Sequence, residues 1–391
     1  MKTYDFDKVI DRRNTNSSKF DFMVENGKPE DALPLWVADM DFKVADPIIE
    51  AIRKACDHGI FGYSQEKEDY YKAVSGWFSR RFGWTPEKEW LVTTPGVVFA
   101  FSIAVQAYTE PGEAVILQPP VYYPFFNAIN TNGRKLVESP LVLNDGHYEM
   151  DLTDFENKII ENQVKLFLMC SPHNPVGRVW TKEELKQIAA ICKKHGVIIL
   201  VDEIHCDFVW EGHEHTMFLD ACPDCKDITI SCTAPSKTFN LAGLQASNIW
   251  IPNKELRRKF RDNLAKVGFF SLNNMGIIAC QTAYSQGEEW FDQCKEYIYQ
   301  NYLFMKEFIA ENIPQLKVME LEGTYLAWVD FSALGLSPDE VDHLITNKAK
   351  LWLDEGRIFG QGGENFQRFV LACPRATLKE ALERLAAAIM N

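Results

Sequence analysis

The stretch Thr181-Lys-Glu-Glu-Leu-Lys-Gln-Ile-Ala-Ala-Ile-Cys-Lys-Lys-His-Gly-Val-Ile-Ile-Leu-Val-Asp202 carries the pattern that decides the fold class. Thr181 and Glu184 have the spacing of a helix capping box, and apolar residues then recur at helical intervals. Gly196 is placed to end that helix immediately before the apolar run 197–201. The stretch therefore predicts a helix followed directly by a buried strand.

Further apolar runs of strand length lie on both sides of this stretch, at 114–117, 166–170, 228–230 and 248–251. Continuous apolar runs are typical of parallel strands that are buried on both faces. Strands that alternate with helices indicate an α/β fold. We therefore expect a large, mainly parallel sheet with helices on its faces.

The length of 391 residues exceeds the size at which one hydrophobic core stops growing, so two domains are expected. After 287 the pattern changes to a long helix, a strand near 322–330, a short strand near 367–373 and a final helix. We predict a large α/β domain over 46–287. Residues 1–45 and 288–391 are predicted to form a smaller α+β domain.

Charge and hydropathy exclude several classes of partner. The net charge of -14 argues against nucleic-acid binding, which requires a surplus of Lys and Arg. The first residues contain no apolar export segment, and the longest apolar run, near 97–105, is too short to span a bilayer. We therefore expect a cytoplasmic protein without a membrane partner.

The ten cysteines lack the spacing of a disulfide framework, so free thiols are expected. One cluster, His213, His215, Cys222 and Cys225, has the residue types and the two-residue gap of a zinc site. The same residues also suit an ordinary polar loop. We predict no metal in the functional site and leave both interpretations of this cluster open.

Unusual polar residues follow the predicted strands. Asn174 follows 166–170, Asp202 follows 197–201, and Lys237 follows 228–230, while Gly96 opens a predicted helix. Ligands of α/β sheets bind at the carboxyl ends of the strands, so these residues are expected to converge. A lysine, a carboxylate and a helix terminus that can bind phosphate are the parts that pyridoxal phosphate requires.

Longer motifs extend this pattern over nearly the whole chain: WVADMDF at 36–42, FGYS at 61–64, PVY at 120–122, SPHNPVGRVW at 171–180, DEIH at 202–205, APSKTFNLAGL at 234–244, GTYL at 323–326 and ACPR at 372–375. In these motifs the sequence resembles the fold-type I pyridoxal-phosphate enzymes of the aminotransferase class I/II superfamily. Within that superfamily it is most similar to the cystathionine β-lyase-like branch of C-S lyases. The resemblance implies an aspartate-aminotransferase-like fold.

The resemblance also implies catalytic roles. Lys237 would carry the cofactor covalently and, once freed by the substrate amine, would move the proton on the substrate α-carbon. For this role its pKa must fall from about 10.4 toward neutrality. Asp202 would keep the nitrogen of the cofactor ring protonated. Tyr122 would stack on the ring face.

The cofactor-binding residues implied by the resemblance are Tyr63, Gly96, Val97, Val98, Tyr122, Asn174, Asp202, His205, Ser236 and Lys237. Of these, Asn174 would bond the phenolic oxygen of the ring, and Ser236 would join the backbone of 96–97 at the phosphate. Tyr63 would reach the phosphate from a second subunit. A homodimer with shared active sites is therefore expected.

The substrate-binding residues implied by the resemblance are Ala38, Asn174 and Arg368. Arg368 would bind the α-carboxylate through its planar guanidinium. Three positions depart from the pattern common in aminotransferases: Gln245 replaces an arginine, His205 replaces a tyrosine and Val370 replaces an asparagine. The lyase branch tolerates the first two changes, and we have no physical account of the third.

Three functions follow from the resemblance. The leading hypothesis is β-elimination from cystathionine or another cysteine S-conjugate, which yields a thiol, pyruvate and ammonia. The alternative is aminotransfer, which shares the early steps. A third hypothesis is a regulatory protein that keeps the fold without turnover, but a binding protein would have no need for Lys237, Asp202 and Arg368 together.

Overall fold

The computed structural model describes residues 2–390. Its helices are α1 Asp46–His58, α2 Glu68–Phe82, α3 Val97–Tyr108, α4 Pro124–Asn130, α5 Leu152–Asn162, α6 Lys182–His195, α7 Phe218–Ala221, α8 Pro235–Thr238, α9 Lys254–Lys266, α10 Asn274–Gln286, α11 Glu288–Asn312, α12 Pro338–His343 and α13 Arg375–Met390. Its strands are β1 Leu33–Pro34, β2 Leu91–Thr94, β3 Ala114–Leu117, β4 Lys135–Glu138, β5 Val142–Asn144, β6 His147–Glu149, β7 Leu166–Cys170, β8 Ile198–Asp202, β9 Thr229–Thr233, β10 Ser247–Trp250, β11 Lys317–Val318, β12 Leu326–Asp330, β13 Leu351–Trp352, β14 Asp354–Glu355 and β15 Phe366–Val370.

The large sheet has seven strands in the order β2-β10-β9-β8-β7-β3-β4. Strands β9, β8, β7, β3 and β4 run parallel to one another, as predicted for the first four, while β4 was not predicted. Strand β10 is antiparallel to both β9 and β2, so the expectation of a parallel strand at 248–251 was wrong. All four residues of β10 are buried, and a strand buried on both faces is apolar whatever its direction.

The helix α6 shows why the decisive stretch folds as predicted. The Thr181 hydroxyl accepts the Glu184 N-H while the Glu184 carboxylate accepts the Thr181 N-H, so the capping box is present. Gly196 ends the helix in the left-handed region, with φ of 66°. Two residues later β8 begins, which places Asp202 at the carboxyl end of a central strand.

Helices cover both faces of the sheet because strand side chains alternate between them. In β8, Leu200 belongs to the core formed with α3 and α9, whereas Ile199 and Val201 belong to the core formed with α5, α6 and α7. The Asp202 side chain therefore lies on the same face of the sheet as Leu200, and the Glu203 side chain lies on the opposite face. The mixed sheet between two helical layers confirms the predicted α/β class.

A second, antiparallel sheet has the order β11-β12-β15-β14, and α11 and α13 pack beside it. Strand β1 pairs with β13, which ties the N-terminal segment to this part of the chain. One large core includes side chains from α1 and α2 as well as from α11 and α13. The division at 45/46 and 287/288 stays a prediction, and its outer ends, Met1 and Asn391, lie outside the described residues.

Within residues 2–390, no helix has both the length and the hydropathy needed to cross a membrane.

Candidate active site

One cavity lies at the carboxyl ends of the parallel strands. Its lining includes every predicted site residue except Tyr63: Ala38, Gly96, Val97, Val98, Tyr122, Asn174, Asp202, His205, Ser236, Lys237 and Arg368. These residues come from separate strand ends, from loops and from helix termini, and both sheets contribute to the set. The structure therefore brings together residues that lie 330 positions apart in sequence, from 38 to 368.

Lys237 lies on the short helix α8, directly after β9. Its ammonium donates a hydrogen bond to the carbonyl oxygen of Ala38 at 2.6 Å. The Tyr325 hydroxyl donates to the same oxygen at 2.9 Å. Desolvation, assisted by the charge of Arg368, lowers the pKa of Lys237 to about 8. A lysine with this pKa can gain and lose a proton near neutral pH.

Asp202 is a buried carboxylate with little compensation from the protein. Its side chain is 4% exposed and accepts one hydrogen bond, from the N-H of Ile204 at 3.1 Å. Among residues 2–390, no side chain donates to it. Burial raises the pKa of Asp202 to about 7, against the opposing effects of the Ile204 N-H and Lys237. Such a group is suited to a cationic N-H donor supplied by a ligand.

Arg368 lies on β15 and reaches the cavity from the second sheet. One guanidinium nitrogen, Nη1, donates to the Asn174 side-chain oxygen at 2.9 Å. The other, Nη2, donates to the Trp36 carbonyl at 2.9 Å and forms an ion pair with Asp354. Asn174 therefore links the loop after β7 to the cationic end of the cavity.

His205 follows β8 and is nearly completely buried. Its ring contacts that of Tyr325 edge-on, with the centroids 5.6 Å apart. Burial, together with Lys237 and Arg368, lowers the pKa of His205 well below its usual value. The imidazole is therefore neutral at physiological pH and contributes shape but no charge, and its buried Nδ1 has no hydrogen-bond partner among residues 2–390.

The start of α3 lines one part of the cavity. Gly96 precedes the helix, and the N-H groups of its first turn, including Val97 and Val98, have no partner within the helix. Ser236 also lines this part of the cavity. Gln245, at the position of the missing arginine, is exposed and does not line the cavity. This arrangement suits a phosphate group that is held mainly by N-H and hydroxyl donors.

The segment 35–42 contributes Val37 and Ala38 to the cavity lining, and its apolar run is compatible with an edge strand or a lid. Only Leu33–Pro34 is a strand. The irregular segment is held by ion pairs: Arg12 contacts Asp39 at 2.6 Å and Asp41 at 2.7 Å, and Lys19 contacts Asp41 at 2.9 Å. These charges fix the chain around Ala38.

Tyr63 is the predicted site residue that the structure does not bring to the cavity. Its side chain is fully exposed, and it lies in a separate surface groove with Phe61 and residues 268–275. A role for Tyr63 at the cavity would therefore have to be performed in another copy of the chain.

Sequence reasoning missed Tyr123, Tyr325 and Asp354. Tyr123 also lines the cavity, and its place beside Tyr122 was the available signal. Tyr325 lies within the motif GTYL, but nothing in that motif indicates which backbone oxygen it contacts. Asp354 had no signal in the sequence, because its importance depends on the strand that pairs with it.

The four residues considered for zinc do not form a metal site. His215 bonds the buried carboxylate of Glu203 at 3.2 Å, and Cys222 and Cys225 pack in the core beside α6. In the described part of the chain, no group of three or more His, Cys, Asp or Glu residues is arranged to hold a metal ion. His213 is only partly buried and lies 4.0 Å from Glu322.

Comparisons with known proteins agree with this geometry. A family model described as aminotransferase class I and II matches residues 31–385. The chain is 44% identical to cystathionine beta-lyase PatB of Bacillus subtilis (strain 168) over 384 residues, which is 98% of this chain and 99% of that protein.

Two crystal structures extend the likeness to three dimensions. Cystalysin from Treponema denticola, which contains a pyridoxal 5'-phosphate cofactor, has a TM-score of 0.96 and 40% identity over 100% of this chain and 99% of its own. The pyridoxal-phosphate-bound C-S lyase from Staphylococcus hominis has a TM-score of 0.93 and 32% identity over 100% and 99%. The predicted aspartate-aminotransferase-like fold is confirmed, and the chain belongs to the aminotransferase class I and II family.

Proposed function

We propose that this chain is a pyridoxal-phosphate-dependent carbon-sulfur β-lyase that acts on cystathionine or related cysteine S-conjugates. The observation that carries the proposal is one cavity holding a lysine of lowered pKa, an uncompensated buried carboxylate and a buried arginine. The full-length similarity to a cystathionine beta-lyase and to C-S lyases supports the choice of reaction.

The residues of the cavity fit the cofactor. Among residues 2–390, Asp202 accepts one backbone N-H and no side-chain donor, and a protonated ring nitrogen would supply a second donor. The N-terminus of α3 and Ser236 would hold the phosphate, Asn174 would bond the ring hydroxyl, and Tyr122 would cover the ring. When bound, pyridoxal phosphate supplies an electron sink for negative charge that develops at the substrate α-carbon.

The chain's own groups would perform the proton and binding steps. Arg368 would orient the α-carboxylate, so that the α-hydrogen faces Lys237. Lys237 would take the α-proton as a neutral amine, since a pKa of about 8 leaves part of it unprotonated near neutral pH. The Cβ-S bond then breaks with its electron pair on sulfur, and the thiolate leaves. With one water consumed, the remaining products are pyruvate and ammonia.

The enzyme is proposed to be a homodimer that shares its active sites. Exposed apolar side chains cluster near the predicted partner-reaching residue Tyr63: Ile60, Phe61 and Phe270 are 69%, 64% and 84% exposed. A monomer gains nothing from such exposure, whereas a second copy would cover it. The cytoplasmic location expected from the sequence also stays a prediction.

The test is to assay the purified holoenzyme with cystathionine in the absence of any keto acid. We expect pyruvate and thiol in equal amounts over many turnovers, and no repeated turnover of L-alanine, which has no β-leaving group. Strict dependence on a keto-acid acceptor would instead support aminotransfer, the second candidate, which is the activity that the family is named after. Both outcomes require the same Lys237, so the product analysis decides between them.

A further inference from the structure

We infer that Asp354 is a positioning residue for the substrate α-carboxylate, because it holds the guanidinium of Arg368 at the cavity wall. This inference deepens the proposed function and rests on it, since it concerns the same site. Asp354 does not itself line the cavity. It would act only through Arg368.

Strand pairing brings the two residues together. In the antiparallel pair β14 and β15, Asp354 is directly opposite Arg368. The side chains are 7% and 2% exposed, and Nη2 of Arg368 forms an ion pair with Oδ2 of Asp354. A buried ion pair of this kind fixes geometry, because neither group can turn to water.

Within residues 2–390, Asp354 is the one charged group among those that hold Arg368. The other contacts are the Asn174 side-chain oxygen, the Trp36 carbonyl and the face of Phe359, whose ring centroid lies 4.9 Å from the guanidinium carbon. Neutral groups cannot compensate a buried positive charge as a carboxylate does. The position of the guanidinium therefore depends on Asp354 more than on the neutral contacts.

The contacts that hold the guanidinium do not use all of its N-H donors. An arginine has five N-H donors, and the structure gives this one three hydrogen bonds, two of them from Nη2. Its Nε has no hydrogen-bond partner among residues 2–390, although it is buried. Donors thus remain for a ligand carboxylate while Asp354 and Asn174 keep the group in place.

The next residue of β14 provides a matched control. Glu355 pairs with Arg357 at 2.7 Å on the surface, where the side chains are 30% and 41% exposed. It has the same charge and lies on the same strand, but it contacts no residue of the cavity through that pair. Exposed ion pairs of this kind contribute little to stability.

The experiment measures binding of two small amines to the holoenzyme through the change in visible cofactor absorption. L-Alanine carries an α-carboxylate and cannot undergo β-elimination, whereas ethylamine lacks the carboxylate. We expect Asp354→Asn to weaken L-alanine binding about tenfold to a hundredfold and ethylamine binding less than about twofold. Glu355→Gln should change neither. With a substrate, Asp354→Asn should raise KM more than it lowers kcat.

Asp354→Glu gives a second variant that keeps the charge and lengthens the side chain. We expect it to weaken L-alanine binding less than Asp354→Asn does. Equal weakening of both ligands by Asp354→Asn, unchanged L-alanine binding, or tighter L-alanine binding would each overturn the inference. Because neither ligand can be cleaved, a protein that lacked lyase activity would still give a clear answer on Asp354.

Discussion

Asp202 and Glu203 are consecutive buried carboxylates with opposite surroundings. Glu203 accepts hydrogen bonds from the Ser231 hydroxyl and from the N-H of Phe218 at 2.8 Å, and it contacts His215 at 3.2 Å. Among the described residues, Asp202 accepts only the N-H of Ile204. Because side chains alternate along an extended chain, the two carboxylates lie on opposite sides of the sheet.

We interpret the difference as one between a structural charge and a proposed functional charge. The protein compensates Glu203 fully, as a fold requires of a buried carboxylate. Burial raises the pKa of Asp202 to about 7. A ligand that donates a hydrogen bond would supply the partner that the protein does not. The prediction for the pair is that Asp202 governs chemistry and Glu203 governs stability.

The largest expected effect comes from Lys237, the proposed base, which lines the same cavity as Asp202. Lys237→Ala should abolish the visible cofactor band and lower kcat by at least roughly 10³-fold, since it removes both the covalent link and the proton carrier. Absorption spectra and pyruvate release from cystathionine measure the two effects. An unchanged spectrum would mean that the cavity containing Asp202 is not the cofactor site.

Asp202→Asn should lower kcat by roughly 10³-fold, because a neutral amide cannot keep a ring nitrogen protonated. Stability of the folded chain should not fall, since the variant removes an uncompensated buried charge. Steady-state kinetics and urea unfolding together test this contrast. A variant that lost stability but kept its kcat would reverse the roles assigned to the two carboxylates.

The helix and the strand that lead to Asp202 and Glu203 were predicted well from the sequence. The capping box at Thr181, the closing Gly196 and the apolar run before Asp202 are local signals, and local signals specify α6 and β8. The predicted direction of β10 was wrong. An apolar run indicates that a strand is buried, and it does not indicate the direction of that strand. Local patterns thus give the elements but not all of their pairings.

The site itself was predictable only where a motif carried it. Lys237 and Asp202 lie in recognisable motifs, Arg368 is implied by the family resemblance, and all three line the cavity. The proposed role of Asp354 and the hydrogen bonds of Glu203 depend on contacts between segments that are distant in sequence. One example is Ser231 on β9, which bonds Glu203 directly after the neighbouring strand β8. Such contacts have no one-dimensional signature, so they required the structure.

A pH titration of stability should sharpen the comparison further. Because the pKa of Asp202 is raised to about 7 in the folded chain, the folded state retains a proton that the unfolded state has lost above about pH 4. The free energy of unfolding of the cofactor-free protein should therefore fall between about pH 4 and 7, by at most about 4 kcal/mol from this group.

Urea unfolding across that range, for the cofactor-free wild type and Asp202→Asn, measures the contribution. Stability with this sign is fully present below the pKa of the unfolded carboxyl and is lost as pH rises through the folded value. The difference between the two proteins should therefore change with pH over this window. A constant difference would show that Asp202 already has a partner within the chain.

The smallest expected effect belongs to Glu203. Glu203→Gln keeps the size of the side chain but weakens charge-assisted bonds from Ser231 and Phe218, so we expect a loss of about 2 kcal/mol in the free energy of unfolding. The kcat of the holoenzyme should stay within about threefold, since Glu203 faces away from the cavity. Glu183→Gln, an exposed residue paired with Lys186, is the control and should change stability by less than about 0.5 kcal/mol. A kcat loss as large as that of Asp202→Asn would show that both carboxylates serve the chemistry, and the division between them would fail.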